Sequence, residues 1–288
     1  MSSIGAGIVL FNPDLDRLKE NIDAIYNQVQ LLVLIDNNSN NIHLIEKKYK
    51  LYKNIVIIKN HNNIGIAAAL NQMMSYFQSK NYHWVVTLDQ DSVCPQNLME
   101  EYVKYIDLPD IGMISPVIVD RNRTSINELG TERYEVVDKC ITSAALTNVS
   151  VWEEIGGFDE LMFIDLVDFE YCKRITLNNY RIIKVNNVAL LHEIGHITQH
   201  KFLLWEINVK NHSSFRKYYM ARNIIYYAKK HKESIVIAYL RILKLYMMTM
   251  LYEADRKQKR KSILKGILDG RKLIPYKNSN ISRSEEVN

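Results

Sequence analysis

The sequence has few cysteines, and the three that are present lie far apart along the chain. Cys94, Cys140 and Cys172 form no CxxC pair, so we predict neither a cysteine zinc site nor a disulfide framework. This usage fits a reducing compartment such as the cytoplasm.

Long apolar runs are also missing. No stretch reaches the roughly eighteen consecutive apolar residues that a membrane-spanning helix needs. Residues 1–6 include no basic region, and the apolar run from Ile8 to Phe11 is only strand length, so no signal peptide is predicted. We therefore expect a protein that is soluble or lies on a surface.

A glycine-rich phosphate-binding turn is missing as well. The first apolar run ends in Phe11-Asn12-Pro13-Asp14, which lacks the G-x-G-x-x-G pattern of dinucleotide-binding proteins. This absence argues strongly against a Rossmann oxidoreductase.

The composition is that of a globular protein, but the charge is unevenly distributed. Hydrophobic residues make up 47% and charged residues 24% of the 288 residues, and the net charge is +5. Residues 201–288 carry 20 Lys and Arg against 7 Asp and Glu, whereas residues 1–200 carry 17 against 25. A basic C-terminal region indicates an anionic partner, either a membrane surface or nucleic acid. A solvated helical face is the alternative.

Apolar strands alternate with helices in the first part of the chain. Strands are predicted at 5–11, 31–35, 55–58 and 84–88, and helices at 15–29 and 65–77. This alternation predicts an α/β fold with a mostly parallel sheet. Later segments predict strands at 111–119 and 140–148, a helical turn at 151–155, and helices at 215–232, 234–252 and 256–273.

Polar residues follow four successive predicted strands. They are Asn12 and Asp14, Asp36 and Asn38, Asn62 and Asn63, and Asp89 and Asp91. Because ligands bind beyond the carboxyl ends of parallel strands, we expect these residues at one edge of the sheet. The two carboxylates of Asp89-Gln90-Asp91 suit a hard divalent cation that also binds substrate phosphates. A turn with two capping Asp residues is the alternative.

Several segments together resemble one enzyme family. They are Val9-Leu10-Phe11-Asn12-Pro13, Ile35-Asp36-Asn37-Asn38-Ser39, Asn62-Asn63-Ile64-Gly65-Ile66-Ala67, Leu88-Asp89-Gln90-Asp91-Ser92, Gly157-Phe158-Asp159-Glu160, the run from Phe163 to Glu170, and His192-Glu193-Ile194-Gly195. Their order and spacing over residues 4–225 resemble family 2 glycosyltransferases of the GT-A fold. The resemblance is closest to the bacterial rhamnosyltransferase-like branch, which builds O-antigen and capsular polysaccharides.

The resemblance implies roles for individual residues. The nucleotide-sugar donor would contact Asn12, Asp14, Asp36, Asn38, Asn62, Gly65, Ile66, Asp89, Arg216 and Arg222. A Mg²⁺ or Mn²⁺ ion would be bound directly by Asp91, with His192 and Asp89 as further contacts. Arg216 and Arg222 belong to an Arg-x-Tyr-Tyr-x-x-Arg-Asn element that would close over the active site, and a packing helix is the alternative.

A second acidic cluster contains the residue that resembles the family's catalytic base, Asp168. Asp165 and Asp168 are three residues apart and would share one face at the start of a helix. Val167 stands where the family more often has Glu, and an apolar neighbour would raise the pKa of Asp168 by desolvation. The alternative is that these residues only stabilise the start of a helix, because acidic side chains are common in the first helical turn. This alternative applies above all to Glu170.

The segment His192-Glu193-Ile194-Gly195-His196 fits the His-Glu-x-x-His pattern of zinc proteases letter for letter. That chemistry needs a helix, whereas the residues before His192 predict a strand and Gly195 weakens a helix. We therefore do not expect a protease.

The resemblance and the residues together predict an inverting, metal-dependent glycosyltransferase. The favoured donor is dTDP-L-rhamnose, with a UDP-hexose or UDP-galactofuranose as the alternative, and the glycan acceptor is expected to be lipid-linked. The C-terminal helices would touch an anionic membrane, which places the protein on the cytoplasmic face of a bacterial plasma membrane. Dimerisation through these helices is the alternative, and nucleic-acid binding through them is an alternative function that we do not expect.

Three regions are expected along the chain. Residues 1–200 would form the GT-A catalytic domain, residues 201–276 a helical C-terminal region, and residues 277–288 a polar tail.

Overall fold

The computed structural model describes residues 3–120, 132–192, 197–202 and 205–275. The predicted polar tail at 277–288 and the residues from Glu193 to His196 therefore lie outside the described residues. The three-region division of the chain stays a prediction.

The described chain begins with the predicted alternation of strands and helices. Its elements are β1 (Ile4–Leu10), α1 (Leu15–Ile25), β2 (Leu31–Asp36), α2 (Ile42–Tyr49), β3 (Ile55–Lys59), α3 (Ile66–Ser79) and β4 (Trp84–Asp89). All seven residues of β1 are buried, and α1 buries Leu18, Ile22 and Ile25 at helical spacing. The helix predicted at 15–29 ends at Ile25 and continues as a short 3₁₀ helix, Tyr26–Gln28.

The middle of the described chain is less regular. It contains α4 (Leu98–Tyr102), β5 (Ile111–Asp120), β6 (Tyr134–Val137), β7 (Ala145–Asn148), α5 (Val149–Glu154), a 3₁₀ helix (Glu160–Met162), α6 (Val167–Leu177) and β8 (Arg181–His192). The prediction of a strand over 140–148 was wrong for its first half. Ala144 has a left-handed φ of 56°, which interrupts the extended backbone just before β7.

One mixed sheet contains eight strands in the order β3-β2-β1-β4-β7-β5-β8-β6. β1 lies between β2 and β4 and is parallel to both, and β2 is parallel to β3. β7 is antiparallel to β4 and β5, whereas β8 is parallel to β5, so β8 runs in the same direction as β4. The strand registers align Leu10 with Asp36, and Val9 with Asp89. The predicted α/β fold and the common edge of the four strand ends are confirmed.

The described residues after β8 form a hairpin and three helices. The elements are β9 (Ile197–Phe202), β10 (Trp205–Lys210), α7 (Ser214–Lys230), α8 (Ile235–Tyr252) and α9 (Arg256–Lys272). The three helices agree with the prediction to within about two residues, but the hairpin was not predicted.

The described residues divide into two compact units. The sheet unit consists of the residues up to Leu161 and those from Asp168 through β8. The helical unit consists of residues 162–167 and the described residues after β8. The six residues of this 162–167 segment therefore group with α7, α8 and α9, although their sequence neighbours on both sides belong to the sheet unit.

Close helix packing and buried ion pairs hold the helical unit together. A Cβ atom on Gly266 or Gly270 of α9 would lie 2.3 or 2.5 Å from backbone oxygens of α7, so only glycine permits this approach. Ala221, Ile225, Ala228, Ala238, Ile242 and Ile263 form the apolar core. The buried Glu253 accepts hydrogen bonds from two buried lysines, Lys217 and Lys259.

Candidate active site

Hydrogen bonds tie the carboxyl ends of β1 and β2 together. Asp36 is buried, and its two carboxylate oxygens accept from the backbone N–H of Ser39 at 3.2 Å. The hydroxyl of Ser39 accepts from the backbone N–H of Asn12 at 2.8 Å, and Asn12 Oδ1 accepts from the N–H of Asn40 at 2.9 Å. Asn38 is exposed with a left-handed φ of 69°, a conformation that asparagine tolerates well.

A network of buried and half-buried amides joins the ends of β2 and β3 to the start of α3. Asn37 Nδ2 donates to the carbonyl of Gly65 at 3.3 Å, and Asn60 Nδ2 donates to Asn37 Oδ1 at 3.1 Å. Gly65 has φ 86° and ψ 167°, a backbone conformation that is available to glycine alone, and Ile66 begins α3 directly after it. Asn62, the predicted donor contact, is exposed beside this network.

The middle residue of Asp89-Gln90-Asp91 ties β4 to β1. Gln90 accepts from the backbone N–H of Phe11 at 2.9 Å and donates to its carbonyl at 3.4 Å. From α1, Asn21 Nδ2 donates to the carbonyl of Asp89 at 2.6 Å. The backbone of the acidic pair is thus held from two sides, by a loop and by a helix.

The Asp91 carboxylate is half-buried and accepts no hydrogen bond from the described residues. A capping role for this side chain, the structural alternative, therefore finds no support. Two carboxylates on a fixed turn suit a hard cation that completes its oxygen ligands with phosphates, so Asp89 and Asp91 fit Mg²⁺ or Mn²⁺. Within the described part of the chain, no group of three or more His, Cys, Asp or Glu residues forms a complete metal cage.

Asp14 has a local structural role. Its Oδ1 accepts from the backbone N–H groups of Arg17 and Asp16 at 3.0 Å, which caps α1. These two backbone hydrogen bonds, led by the one from Arg17, lower the pKa of Asp14. Its contact with the donor stays a prediction.

Asp168 lies in the first turn of α6, as predicted. It is half-buried, and its Oδ1 accepts from the backbone N–H of Phe169 at 2.9 Å. Glu170, two residues later, is fully buried and accepts three hydrogen bonds of 2.8 to 3.0 Å from Arg174. Arg174 also donates to the carbonyls of Ile155 and Gly157, so Glu170 has a structural role.

The expectation that Asp165 and Asp168 share a helix face was wrong. α6 begins at Val167, and Phe163, Asp165 and Leu166 all have left-handed φ angles between 61° and 68°. For residues with bulky side chains such backbone is strained, and it persists only where surrounding contacts impose it. The 162–167 segment is therefore a strained turn before the helix.

Side chains of α7 hold this strained turn within the helical unit. The fully buried Asn223 donates from Nδ2 to the carbonyls of Met162, Ile164 and Asp165, each at 2.8 Å. Arg222 donates to the carbonyl of Met162 at 3.0 Å.

Two further contacts with α7 fix the strained turn at residues 162–167. Arg216 forms a bidentate pair with the carboxylate of Asp165, and the rings of Phe163 and Tyr219 stack at 4.8 Å. The predicted donor contacts of Arg216 and Arg222 stay predictions.

His192 is the last residue of β8 and pairs in register with Asp120. Because β8 runs in the same direction as β4, the backbone of His192 lies at the edge of the sheet that also carries Asp89. A strand at His192 is incompatible with the helix that a zinc protease needs. The role of His192 at a metal stays a prediction.

A comparison with known families assigns the chain. It matches the family described as "Glycosyl transferase family 2" over residues 6–167, more than half of its length. The chain belongs to this family and is a glycosyltransferase.

The chain is also similar to individual known proteins. The chain is 28% identical over 284 residues to dTDP-rhamnosyl transferase RfbF of Shigella flexneri, with 93% of this chain and 94% of the relative covered. The mannosyltransferase PcManGT of Pyrobaculum calidifontis, solved with GDP-Man and Mn²⁺, superimposes with a TM-score of 0.59 at 16% identity over 92% of this chain and 73% of that one. GalNAc-T7, solved with UDP, GalNAc and Mn²⁺, has a TM-score of 0.60 at 15% identity over 95% of this chain but only 56% of its own length.

These findings confirm the predicted GT-A fold, the predicted family with its rhamnosyltransferase-like resemblance, and the predicted enzyme class. Sequence reasoning missed the structural parts played by Asn37, Gln90 and Asn223. All three residues lie inside motifs that it had singled out, and that position was the available signal.

Proposed function

We propose that this chain transfers L-rhamnose from dTDP-L-rhamnose to a hydroxyl group of a glycan acceptor in bacterial cell-surface polysaccharide synthesis. The choice of donor is supported by the similarity to the Shigella dTDP-rhamnosyl transferase, which extends over 93% of this chain. The acceptor is proposed to be lipid-linked, and the enzyme to work on the cytoplasmic face of the plasma membrane.

One observation supports the proposed donor site above all. The carboxylate of Asp91 accepts no hydrogen bond from the described residues, and Asp91 lies at the edge of the sheet where four strand ends meet. Asp91 and Asp89 would hold a Mg²⁺ or Mn²⁺ ion. When bound, the ion supplies positive charge that stabilises the departing diphosphate. Asp36 offers a buried carboxylate to the ribose or the base.

Asp168 is the proposed general base. It takes the proton of the acceptor hydroxyl while the hydroxyl oxygen attacks the anomeric carbon from the face opposite the diphosphate. The bond between the anomeric carbon and the diphosphate oxygen breaks, and its electron pair leaves with dTDP. The configuration is inverted through an oxocarbenium-like transition state.

The proposal is tested with a panel of dTDP- and UDP-sugars, by measuring nucleotide release and donor binding with and without Mn²⁺. Asp168→Asn is expected to abolish transfer and retain donor affinity, and Asp91→Ala is expected to lose the metal-dependent part of that affinity. Asp107→Asn, at an exposed aspartate of the sheet unit, is the matched control. Transfer by Asp168→Asn at the unsubstituted rate would exclude Asp168 as the base, and turnover of UDP-sugars alone would exclude the dTDP donor.

A further inference from the structure

α8 has two apolar faces, and only one of them is packed. Ala238, Ile242 and Thr249 are buried along one side, where the first two join the core of the helical unit. The opposite side carries a stripe at helical spacing whose residues are 51 to 64% exposed: Val236, Leu240, Leu243, Met247 and Leu251. We call these five residues the outer stripe.

The outer stripe is too long and too apolar for an ordinary solvated surface. α8 has no acidic residue, and only 17% of its residues are buried. By length and composition alone it could cross a membrane, although Arg241 and Lys244 interrupt its apolar residues. Scattered exposed apolar residues need no explanation, but a contiguous stripe over about four helical turns indicates a binding surface.

The neighbouring helix α9 adds positive charge to the same unit. Its exposed residues include Leu264 and Leu268, which are 49% and 56% exposed. On the same helical face lie the exposed cations Lys257, Arg260, Lys261, Lys265, Arg271 and Lys272. The one acidic residue of α9, Asp269, accepts a hydrogen bond from Tyr218 and lies beside this face.

We propose that the outer stripe of α8 and the basic face of α9 form a surface that binds an anionic lipid bilayer. Exposed aliphatic side chains enter the boundary between headgroups and acyl chains, and Lys and Arg contact the lipid phosphates. The helices lie on the membrane and do not span it. α8 packs on α7 and α9 in one core, and the cations of α9 are too costly to place in hydrocarbon.

The surface is tested by sedimentation with vesicles, without any nucleotide sugar, so the result is independent of the proposed reaction. The full chain is expected to bind vesicles of phosphatidylcholine with phosphatidylglycerol, and to bind phosphatidylcholine alone much more weakly. Lys257→Gln, Lys261→Gln and Lys265→Gln combined should weaken binding about a hundredfold. Leu243→Glu with Met247→Glu should weaken it about tenfold or more.

Matched controls come from exposed positions of the sheet unit. Leu51→Glu replaces a side chain that is 89% exposed, and Lys47→Gln, Lys48→Gln and Lys53→Gln remove the same charge. Both controls should bind vesicles like the unsubstituted chain. Equal losses in the controls and the test variants would refute the proposal.

Two other outcomes would also overturn it. A dimer in light scattering that dissociates on Leu243→Glu, without vesicle binding, would make the outer stripe an interface between copies of this chain. Lysine-dependent binding to duplex DNA with no affinity for vesicles would make the basic face a nucleic-acid surface.

Discussion

Arg216 donates to Asp165 from both Nε and Nη2, at distances of 3.0 to 3.2 Å, although the two residues are 51 positions apart. The pair fixes the carboxylate of Asp165 in the strained turn that precedes α6. Asp165 is three residues before Asp168 in the sequence. Arg216 was predicted to contact the donor, and the pair with Asp165 offers a second explanation for it.

The two explanations predict different kinetics. If Arg216 acts by holding Asp165, Arg216→Ala, Asp165→Asn and the double variant should all lower kcat to a similar level, up to about a hundredfold. The pair is partly exposed, so the free energy of unfolding should change by only about 0–1 kcal/mol. Measured kcat and donor KM for the three variants decide the matter. A double variant far below both single variants, with a raised donor KM, would instead indicate direct contact with the donor.

Asn223 is expected to be a major source of stability for the helical unit. Asn223→Ala leaves three backbone carbonyls without their side-chain donor and should lower the free energy of unfolding by about 1–3 kcal/mol. Asn223→Asp removes the same donor without changing the volume and should cost at least as much. Urea titration gives the values, with Asn178→Ala, which breaks one half-buried hydrogen bond, as the milder control. Equal midpoints for all three variants would contradict this role.

The Glu170–Arg174 pair should stabilise the folded protein without affecting the rate of the chemical step. Glu170→Gln leaves Arg174 buried without its counter-charge and should destabilise the protein by about 3–5 kcal/mol. The exposed pair of Lys59 and Glu46 provides the control, since Glu46→Gln should cost about 0–1 kcal/mol. Below the melting temperature the folded Glu170→Gln enzyme should keep its kcat. A Glu170→Gln variant that is stable but inactive would instead indicate that Glu170 takes part in catalysis.

Gly65 should tolerate no side chain. Gly65→Ala forces a Cβ atom into a backbone conformation at φ 86° that costs about 1–3 kcal/mol. Asn37 donates a hydrogen bond to the carbonyl of Gly65, so a backbone shift that relieves the strain should also displace Asn37. We expect this shift to disturb the strand ends where the donor is proposed to bind, and to weaken nucleotide binding. Calorimetric titration with dTDP measures the effect, and Ala68→Gly within α3 is the control. Unchanged affinity in Gly65→Ala would separate this turn from the donor site.

Local patterns in the sequence predicted the strands and their polar ends, because each apolar run and the residue that stops it are neighbours in the chain. The same reasoning could not assign Gln90 or Asn223, whose hydrogen-bond partners lie 79 and 61 positions away. It also placed Asp165 on a helix, because spacing alone contains no information about left-handed backbone. The hairpin of β9 and β10 was missed because all residues from 201 onward were assigned to a helical region, although the first predicted helix of that region began only at residue 215.

The grouping of residues 162–167 with the C-terminal helices has a consequence for biosynthesis. A ribosome adds roughly 5–20 residues each second, so Asp165 is synthesised several seconds before Arg216 and Asn223. During that interval the sheet strands before Asp165 can pair, but the turn leading to Asp168 lacks the side chains that impose its strained backbone. The nascent chain should therefore acquire a nucleotide-binding edge first and the ability to transfer a sugar only after α7 has been made.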